Sequence, residues 1–241
     1  MSDSEYKKEF YSKTKTVKNY DSFRFKNKGG RYVHEQESRI IQSFLSDSDK
    51  EAEVLDLPVG TGRLHSTLTG MGFTQHHGSD FSEAMLKFCK ETYGDSIRLS
   101  RQDAFDTNFN DDRFSVIVSL RFFFHFSEVS LLLKEFRRIL NDDGILILDT
   151  IVWSPRARTD LFSQRLGGRL YTLSDKRFTE IASEQGFKVE KVEKILFIPS
   201  FFYNFMPGFV VSMVERIERF WPKRWFTKTV WKLSPLSQFN R

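Results

Sequence analysis

This chain has little of several features that would define its class at once. A single cysteine, Cys89, excludes internal disulfide bonds and any cysteine-based metal cluster. No uncharged apolar run reaches the length of about 18 residues that a transmembrane helix needs. The first eight residues also lack the apolar stretch of a signal peptide. We therefore expect a cytoplasmic protein, by default.

Histidines are few and their spacing does not suit a metal. His76 and His77 are adjacent in a predicted strand, where neighbouring side chains point to opposite faces. His34 and His65 add no ligand spacing. The sequence predicts no metal site.

Charge is spread unevenly along the chain. Residues 1–33 hold nine lysines and arginines against four acids, and residues 199–241 hold seven against two, whereas the centre is acidic. Basic ends indicate an anionic partner, such as a membrane surface, a phosphate-bearing substrate or nucleic acid. The alternative is solvated tails, which we prefer for residues 1–20.

Strand and helix patterns alternate along the 241 residues, a length that suits one α/β domain with extensions. Predicted strands lie near 53–57, 74–80, 96–102, 114–120, 144–152 and 187–198. Predicted helices lie near 34–45, 63–71, 82–92, 127–140 and 174–185. This alternation favours a Rossmann-like, mostly parallel sheet with helices on both faces. Ligands of such sheets bind at the carboxyl ends of the strands.

The most informative segment is Val54–Leu64, where an apolar run ends in Asp56 and a turn carries Gly60 and Gly62. Glycines allow a sharp turn and a close approach of the backbone to a ligand. Asp80 follows the next predicted strand, about 20 residues on, where an acid can bind ribose hydroxyls. Asp103 follows a third apolar segment.

This combination resembles the class I S-adenosylmethionine-dependent methyltransferases of the small-molecule type, over about residues 35–200. Their first motif, roughly D/E-x-G-x-G-x-G, stands here as Asp56-Leu57-Pro58-Val59-Gly60-Thr61-Gly62. The resemblance implies a seven-stranded sheet, with an antiparallel last strand near 229–238, and S-adenosylmethionine as the cofactor. The cofactor-binding residues that it implies are Asp56, Pro58, Gly60, Gly62, Asp80, Phe81, Asp103, Ala104 and Leu120.

Within that motif, the resemblance implies Gly60 and Gly62 beside the methionine moiety, Asp80 on the ribose and Asp103 with Ala104 beside the adenine. Pro58 departs from the pattern because it occupies the first glycine position. Proline fixes φ near −65° and has no N–H, so it fits only where neither a positive φ nor a donor is required.

Residues for the acceptor are less well defined. The resemblance implies His125 on the substrate side, as a general base or as a ring packed among the phenylalanines around it. Arg31, Arg156 and Arg169, with Arg158 and Arg165 between the last two, are predicted to bind a phosphate or carboxylate, or else to be solvated. The Asn/Asp-Pro-Pro-aromatic motif of enzymes that methylate bases is absent.

The carboxy-terminal segment, residues 199–241, is aromatic and basic. A helix from Pro207 is predicted, and we expect its apolar residues to pack on the sheet or to cover the substrate cleft, with contact to a membrane interface as the alternative. Those residues are Phe209, Val210, Met213, Val214, Ile217 and Trp221.

We divide the chain into a possible lid, residues 1–33, a cofactor-binding domain, residues 34–198, and residues 199–241 as part of that domain. The function expected is methyl transfer to a small or lipid-like, possibly anionic acceptor, with nucleic acid a less favoured partner. Two rivals stay open. One is an RNA or protein methyltransferase, supported by the pI of about 9.2. The other is a non-catalytic module that keeps the fold.

Overall fold

The computed structural model describes residues 27–157, 169–218 and 220–237, except the side chain of Phe201. Within them, seven strands form one sheet in the order β3-β2-β1-β4-β5-β7-β6. The strands are β1 Val54–Asp56, β2 His76–Asp80, β3 Arg98–Arg101, β4 Phe114–Ser119, β5 Leu140–Ile151, β6 Phe187–Ile195 and β7 Lys228–Pro235. Strands β1 to β5 run parallel to one another, and β7 is antiparallel to both β5 and β6. The predicted fold class is confirmed.

The described helices are α1 Lys28–Phe44, α2 His65–Gly70, α3 Glu83–Tyr93, α4 Val129–Ile139, α5 Asp175–Glu184, α6 Ser200–Tyr203 and α7 Gly208–Glu218. Ser82 and Ser174 cap α3 and α5, because their hydroxyls accept from Met85 N–H and Arg177 N–H. Among these residues, no helix is long and apolar enough to cross a membrane.

Helix α1 begins earlier than the sequence predicts. The predicted helix starts near residue 34, but residues 28–32 are already helical, and Asn27 caps them by accepting from Gly30 N–H at 2.6 Å. Gly29 is required by packing, since a Cβ there would lie 1.8 Å from the carbonyl oxygen of Tyr203. The helix therefore crosses the expected boundary between residues 33 and 34, and most of the predicted lid lies outside the described residues.

Apolar side chains cover both faces of the sheet. On one face α4 and α5 pack over a core centred on Phe136, Phe178 and Trp231. On the other face α1, α2 and α7 pack over Ile41 and Ile147. The carboxyl ends of the neighbouring parallel strands β2, β1 and β4 then meet at one edge of the sheet, where the turns that follow them form a cleft.

Candidate cofactor and acceptor site

The turn after β1 forms the floor of this cleft. It is fixed to the sheet because Leu57 N–H donates to Val118 O at 3.1 Å and Val59 N–H donates to Ser79 O at 2.8 Å. Gly60 adopts φ +55°, and a Cβ built on it would meet no atom within 4 Å. Its backbone therefore faces open space in the cleft, where a ligand can approach closely.

Gly62 is required for packing on a neighbouring helix, whereas Gly60 leaves room for a ligand. It also has a positive φ, +81°, but a Cβ there would lie 2.6 Å from Cys89 Sγ and from Tyr93 on α3. Gly62 thus allows the turn to pack on α3, and it does not line the cleft. Of the two glycines in this motif, Gly60 leaves space for a ligand, and Gly62 permits close contact with α3.

Pro58 follows a cis peptide bond and lines the cleft. The neighbouring residues Leu57 and Val59 both donate their N–H groups to adjacent strands. Proline has no N–H to donate, so it can occupy the intervening position without leaving an unsatisfied donor.

Asp80, at the end of β2, braces this turn. Its Oδ2 accepts from Gly60 N–H at 3.0 Å, and its Oδ1 accepts from Ser82 N–H at 2.8 Å. Burial raises the pKa of Asp80 to about 6, although those backbone hydrogen bonds act in the opposite direction. Each carboxylate oxygen has a second lone pair, so Asp80 can still accept from a ligand.

Asp56, at the end of β1, is the most strongly perturbed acid of the cleft. Burial, with a smaller contribution from the Asp80 charge, raises the pKa of Asp56 to about 8, although Arg63 opposes this shift. Its buried Oδ2 has no hydrogen-bond partner among the described residues. A buried polar atom of this kind costs stability unless a ligand satisfies it. Together with the open space at Gly60, this atom fits a cofactor that brings hydrogen-bond donors or positive charge.

A buried cluster of charges, centred on Glu37 of α1, forms the wall beside these acids. Glu37 accepts from Arg63 at 2.7 Å and from Arg121 at 2.9 Å, and it is also ion-paired with Lys228. Burial alone would raise the pKa of Glu37, but Arg121, Lys228 and Arg63 outweigh burial and hold it well below its usual range. Lys228 also pairs with the buried Asp149.

Arg121 connects this cluster to the backbone. It follows β4 and adopts φ +60°, a conformation that side chains other than glycine rarely take. Its N–H donates to Asp149 Oδ1 at 2.7 Å while its guanidinium binds Glu37. The strain of a positive φ is sustained only where the surroundings fix the residue, as these two acids do here.

Aromatic residues form a further part of the cleft lining. Phe122 and Phe126 line the cleft with ring centroids 4.9 Å apart, and Phe126 also packs edge-on against Phe105. His125 lies in a short 3-10 helix, Phe123–His125, and it lines the cleft although it is mostly buried. This part of the lining combines an apolar surface with one titratable ring.

The predicted site residues divide into those that line the cleft and those that do not, and Gly62 belongs to the second group. Those that line the cleft are Asp56, Pro58, Gly60, Asp80, Phe81, Leu120 and His125. Asp103 and Ala104 lie just beyond, next to Gln102, whose N–H donates to Asp80 O at 3.1 Å. Arg31 and Arg169 are exposed, and Arg156 is half-buried. None of these three arginines lines the cleft. Arg158 and Arg165 lie outside the described residues.

Sequence reasoning missed Glu37, Arg63, Arg121, Asp149 and Lys228. One signal was available for Glu37: it shares a helical face with Val33, Ile40, Ile41 and Phe44, where a charge must find partners. The partners come from distant segments and carry no local pattern. Among the described residues, no group of three or more histidine, cysteine or acidic side chains could hold a metal ion.

Comparison with known proteins agrees with this geometry. Residues 55–148 match the family model of a methyltransferase domain. No curated protein matches the sequence. Magnesium protoporphyrin IX methyltransferase from Synechocystis, solved with S-adenosylhomocysteine, has a similar structure, with a TM-score of 0.71 and 16% identity over 97% of this chain and 100% of that one.

Two further solved structures are similar. Phosphoethanolamine N-methyltransferase 2 from Haemonchus contortus has a TM-score of 0.68 and 17% identity, over 98% of this chain and 61% of that one. A methyltransferase from Haloferax volcanii, in complex with its Trm112 activator, has a TM-score of 0.63 and 18% identity, over 83% and 90%.

The fold of the described residues is that of the class I S-adenosylmethionine-dependent methyltransferases. Residues 55–148 match the methyltransferase domain family, and this match together with the fold indicates an S-adenosylmethionine-dependent methyltransferase. The predicted family, fold, enzyme class and cofactor are confirmed.

Proposed function

We propose that the cleft binds S-adenosylmethionine on its glycine-turn side and transfers a methyl group to a small or lipid-like, anionic acceptor on its arginine and aromatic side. The observation that carries the proposal is the composition of the cleft, whose lining combines buried acids, two arginines and phenylalanine rings. S-adenosylmethionine supplies an activated methyl group, so the protein's task is positioning and electrostatics.

On the cofactor side, Asp56 and Asp80 offer the acceptors that a cationic, hydroxyl-bearing cofactor needs. Asp56 Oδ2 suits a donor on the methionine moiety, and Asp80 suits the ribose hydroxyls. Gly60 gives the clearance for close approach. Leu120 and Phe81 supply apolar surface, and Asp103 with Ala104 are assigned to the adenine side.

On the acceptor side, Arg63 and Arg121 favour a phosphate or carboxylate. Their cluster contains three cations and two acids, so it retains an excess positive charge next to the cleft. Phe122 and Phe126 favour an apolar or planar body. The similar Haemonchus enzyme was solved with phosphomonomethylethanolamine, a small phosphate-bearing molecule, which agrees with this class of acceptor.

We assign His125 as the base for an acceptor atom that must lose a proton before it is methylated, because it is the titratable ring on the acceptor wall. The substitution His125→Asn preserves polarity and removes the base. A drop in turnover with unchanged cofactor affinity supports this role. Equal loss of cofactor affinity assigns the ring to packing.

The first test is calorimetric titration of the protein with S-adenosylmethionine and S-adenosylhomocysteine. We expect saturable binding that weakens at least about tenfold in Asp80→Ala, since hydrogen bonds to a charged group contribute roughly 1.5–3 kcal/mol. Asp106→Ala, an exposed acid in the loop after β3, is the matched control. If the folded wild type binds neither ligand, the proposal is wrong and the non-catalytic module is favoured.

A second measurement addresses the acceptor. Turnover is compared on pools of small phosphate-bearing or carboxylate-bearing molecules, on lipids and on RNA. Methylation of RNA with steep dependence on salt would overturn the small-molecule assignment. Methylation of an anionic small molecule or lipid, reduced by Arg121→Leu, would support it.

A further inference from the structure

Exposed hydrophobic side chains are concentrated in one part of this molecule. Eight of the eleven exposed large hydrophobic residues described lie between residues 202 and 225. They are Phe202, Phe205, Phe209, Met213, Ile217, Phe220, Trp221 and Trp225. We refer to these eight residues as the α7 surface. Large apolar side chains that are exposed in such numbers within one segment mark an interaction site in soluble proteins.

Helix α7 is apolar on two sides. Val211 and Val214 are buried and pack on the core beneath α1. Phe209, Met213 and Ile217, at positions i, i+4 and i+8, are 76%, 55% and 41% exposed. At 1.5 Å per residue this exposed stripe is about 12 Å long. Of the residues expected to pack, Val214 is buried, whereas Phe209, Met213 and Ile217 are exposed because Val211 and Val214 occupy the side of α7 that faces the core.

The helix that carries this stripe is held firmly. Glu218, at its last turn, accepts from the hydroxyls of Tyr32 and Tyr203 and from Phe197 N–H at 2.7 Å. In the first half of the helix, Lys28 Nζ donates to Ser212 Oγ. The three stripe residues thus belong to a fixed helix, and their orientation is determined by the fold.

The charges around the α7 surface have one sign. Every exposed charged residue described between 202 and 225 is basic: Arg216, Lys223 and Arg224. The acids of this segment, Glu215 and Glu218, are half-buried. Two tryptophans, Trp221 and Trp225, lie at the same end as Lys223 and Arg224. Tryptophan and basic residues around an apolar stripe are the chemistry of the membrane interface, where rings enter the headgroup region and cations meet anionic lipids.

We propose that the α7 surface docks this protein on an anionic membrane, with α7 lying in the plane of the interface. A second copy of the chain is the less suitable occupant. A twofold self-contact through this surface would bring Arg216, Lys223 and Arg224 of both copies together, and like charges would oppose it. Docking requires neither cofactor nor acceptor, so the inference stands apart from the proposed function.

The test is co-sedimentation of the full chain with vesicles of phosphatidylcholine, with and without phosphatidylserine. We expect binding to the vesicles that contain phosphatidylserine. The double variant Phe209→Ser/Met213→Ser should reduce the partition coefficient roughly tenfold or more, because each buried apolar side chain contributes roughly 1.5–3 kcal/mol. Both positions are exposed, so folding should be unchanged.

The matched control is Leu131→Ser/Val192→Ser. These residues are also exposed hydrophobics, 54% and 40%, but lie on α4 and β6, outside the α7 surface. We expect wild-type vesicle binding for this variant. A charge-reversal variant, Arg216→Glu/Arg224→Glu, should lose most of the preference for phosphatidylserine while its cofactor affinity is unchanged.

Three outcomes would overturn the proposal. The first is absence of wild-type binding to anionic vesicles, and the second is equal binding by wild type and Phe209→Ser/Met213→Ser. The third is concentration-dependent self-association in sedimentation velocity, abolished by Phe209→Ser/Met213→Ser and without vesicle binding, which would assign the surface to a second copy. Cofactor titration of the same samples separates these failures from failure of the proposed function.

Discussion

Glu37 and Asp56 are both fully buried acids beside the same cleft, yet their protonation is opposite. Glu37 is surrounded by Arg63, Arg121 and Lys228, and its pKa is held well below its usual range. The pKa of Asp56 is raised to about 8, because burial is offset by Arg63 alone and Asp80 adds a like charge. Burial is common to the two acids, so the neighbouring charges decide which one is ionised.

The difference between the two pKa values indicates that Glu37 and Asp56 have different roles. The Glu37 cluster is internally satisfied and joins α1, the turn after β1, the β4 end and β7, so it positions the cleft wall. Asp56 has an oxygen without a partner among the described residues, so a ligand can complete its environment. One acid serves the architecture, and we assign the other to the cofactor.

The substitution Glu37→Gln should have the largest effect on stability, because it removes the acid that the three cations share. Removal of the acid leaves three largely buried cations with less compensation, and breaking a buried ion pair from one side typically costs about 3–5 kcal/mol. We expect that loss in the free energy of unfolding, measured in urea. Glu35→Gln, an exposed acid on the same helix, is the control and should change stability by less than about 0.5 kcal/mol. Equal effects of both substitutions would contradict the role of the cluster.

Lys228→Met should cost less, about 2 kcal/mol, because Arg63 and Arg121 still compensate Glu37 and Arg121 N–H still binds Asp149. The measurement is urea unfolding of both single variants and the double variant with Glu37→Gln. The two losses should combine to less than their sum by at least about 0.5 kcal/mol, since the residues are in contact. Full additivity would show that Lys228 and Glu37 act independently.

The substitution Asp56→Asn tests the protonation of Asp56 through the pH dependence of the unfolding free energy. The folded-state pKa of Asp56 is raised to about 8, so its contribution to stability is present at low pH and is lost as the pH rises from about 4 to about 8. The difference in unfolding free energy between wild type and Asp56→Asn should fall in that window, by on the order of 1 kcal/mol per pH unit. A difference that rises with pH would mean that Asp56 is ionised in the free protein.

The smallest effect concerns protons released on cofactor binding. A cationic ligand favours the ionised form of Asp56, so its binding near about pH 7 should release up to about one proton. Calorimetry in buffers of different ionisation enthalpy measures this number. We expect the release to disappear in Asp56→Asn, and release of equal size in both proteins would assign the proton to another group.

Local patterns predicted much of this protein. The strand β1, the acids at the ends of β1 and β2 and the positive-φ position of Gly60 follow from a short apolar run and a glycine turn, which depend on neighbouring residues alone. The same local reasoning was wrong about the start of α1, predicted near residue 34 but observed at Lys28, where Gly29 is required by a contact with Tyr203 far along the chain.

The sequence by itself determined the order of strands and helices, the cofactor turn and the basic, aromatic character of the carboxy-terminal segment, because periodicity and turn chemistry act over a few residues. Only the tertiary structure decided that Glu37 would meet Lys228, 191 positions away, that Gly62 would face α3, and that Phe209 would remain exposed while Val211 is buried. Such pairings depend on which elements pack together, and no local pattern encodes the distance between a charge on one helix and its partner on a remote strand.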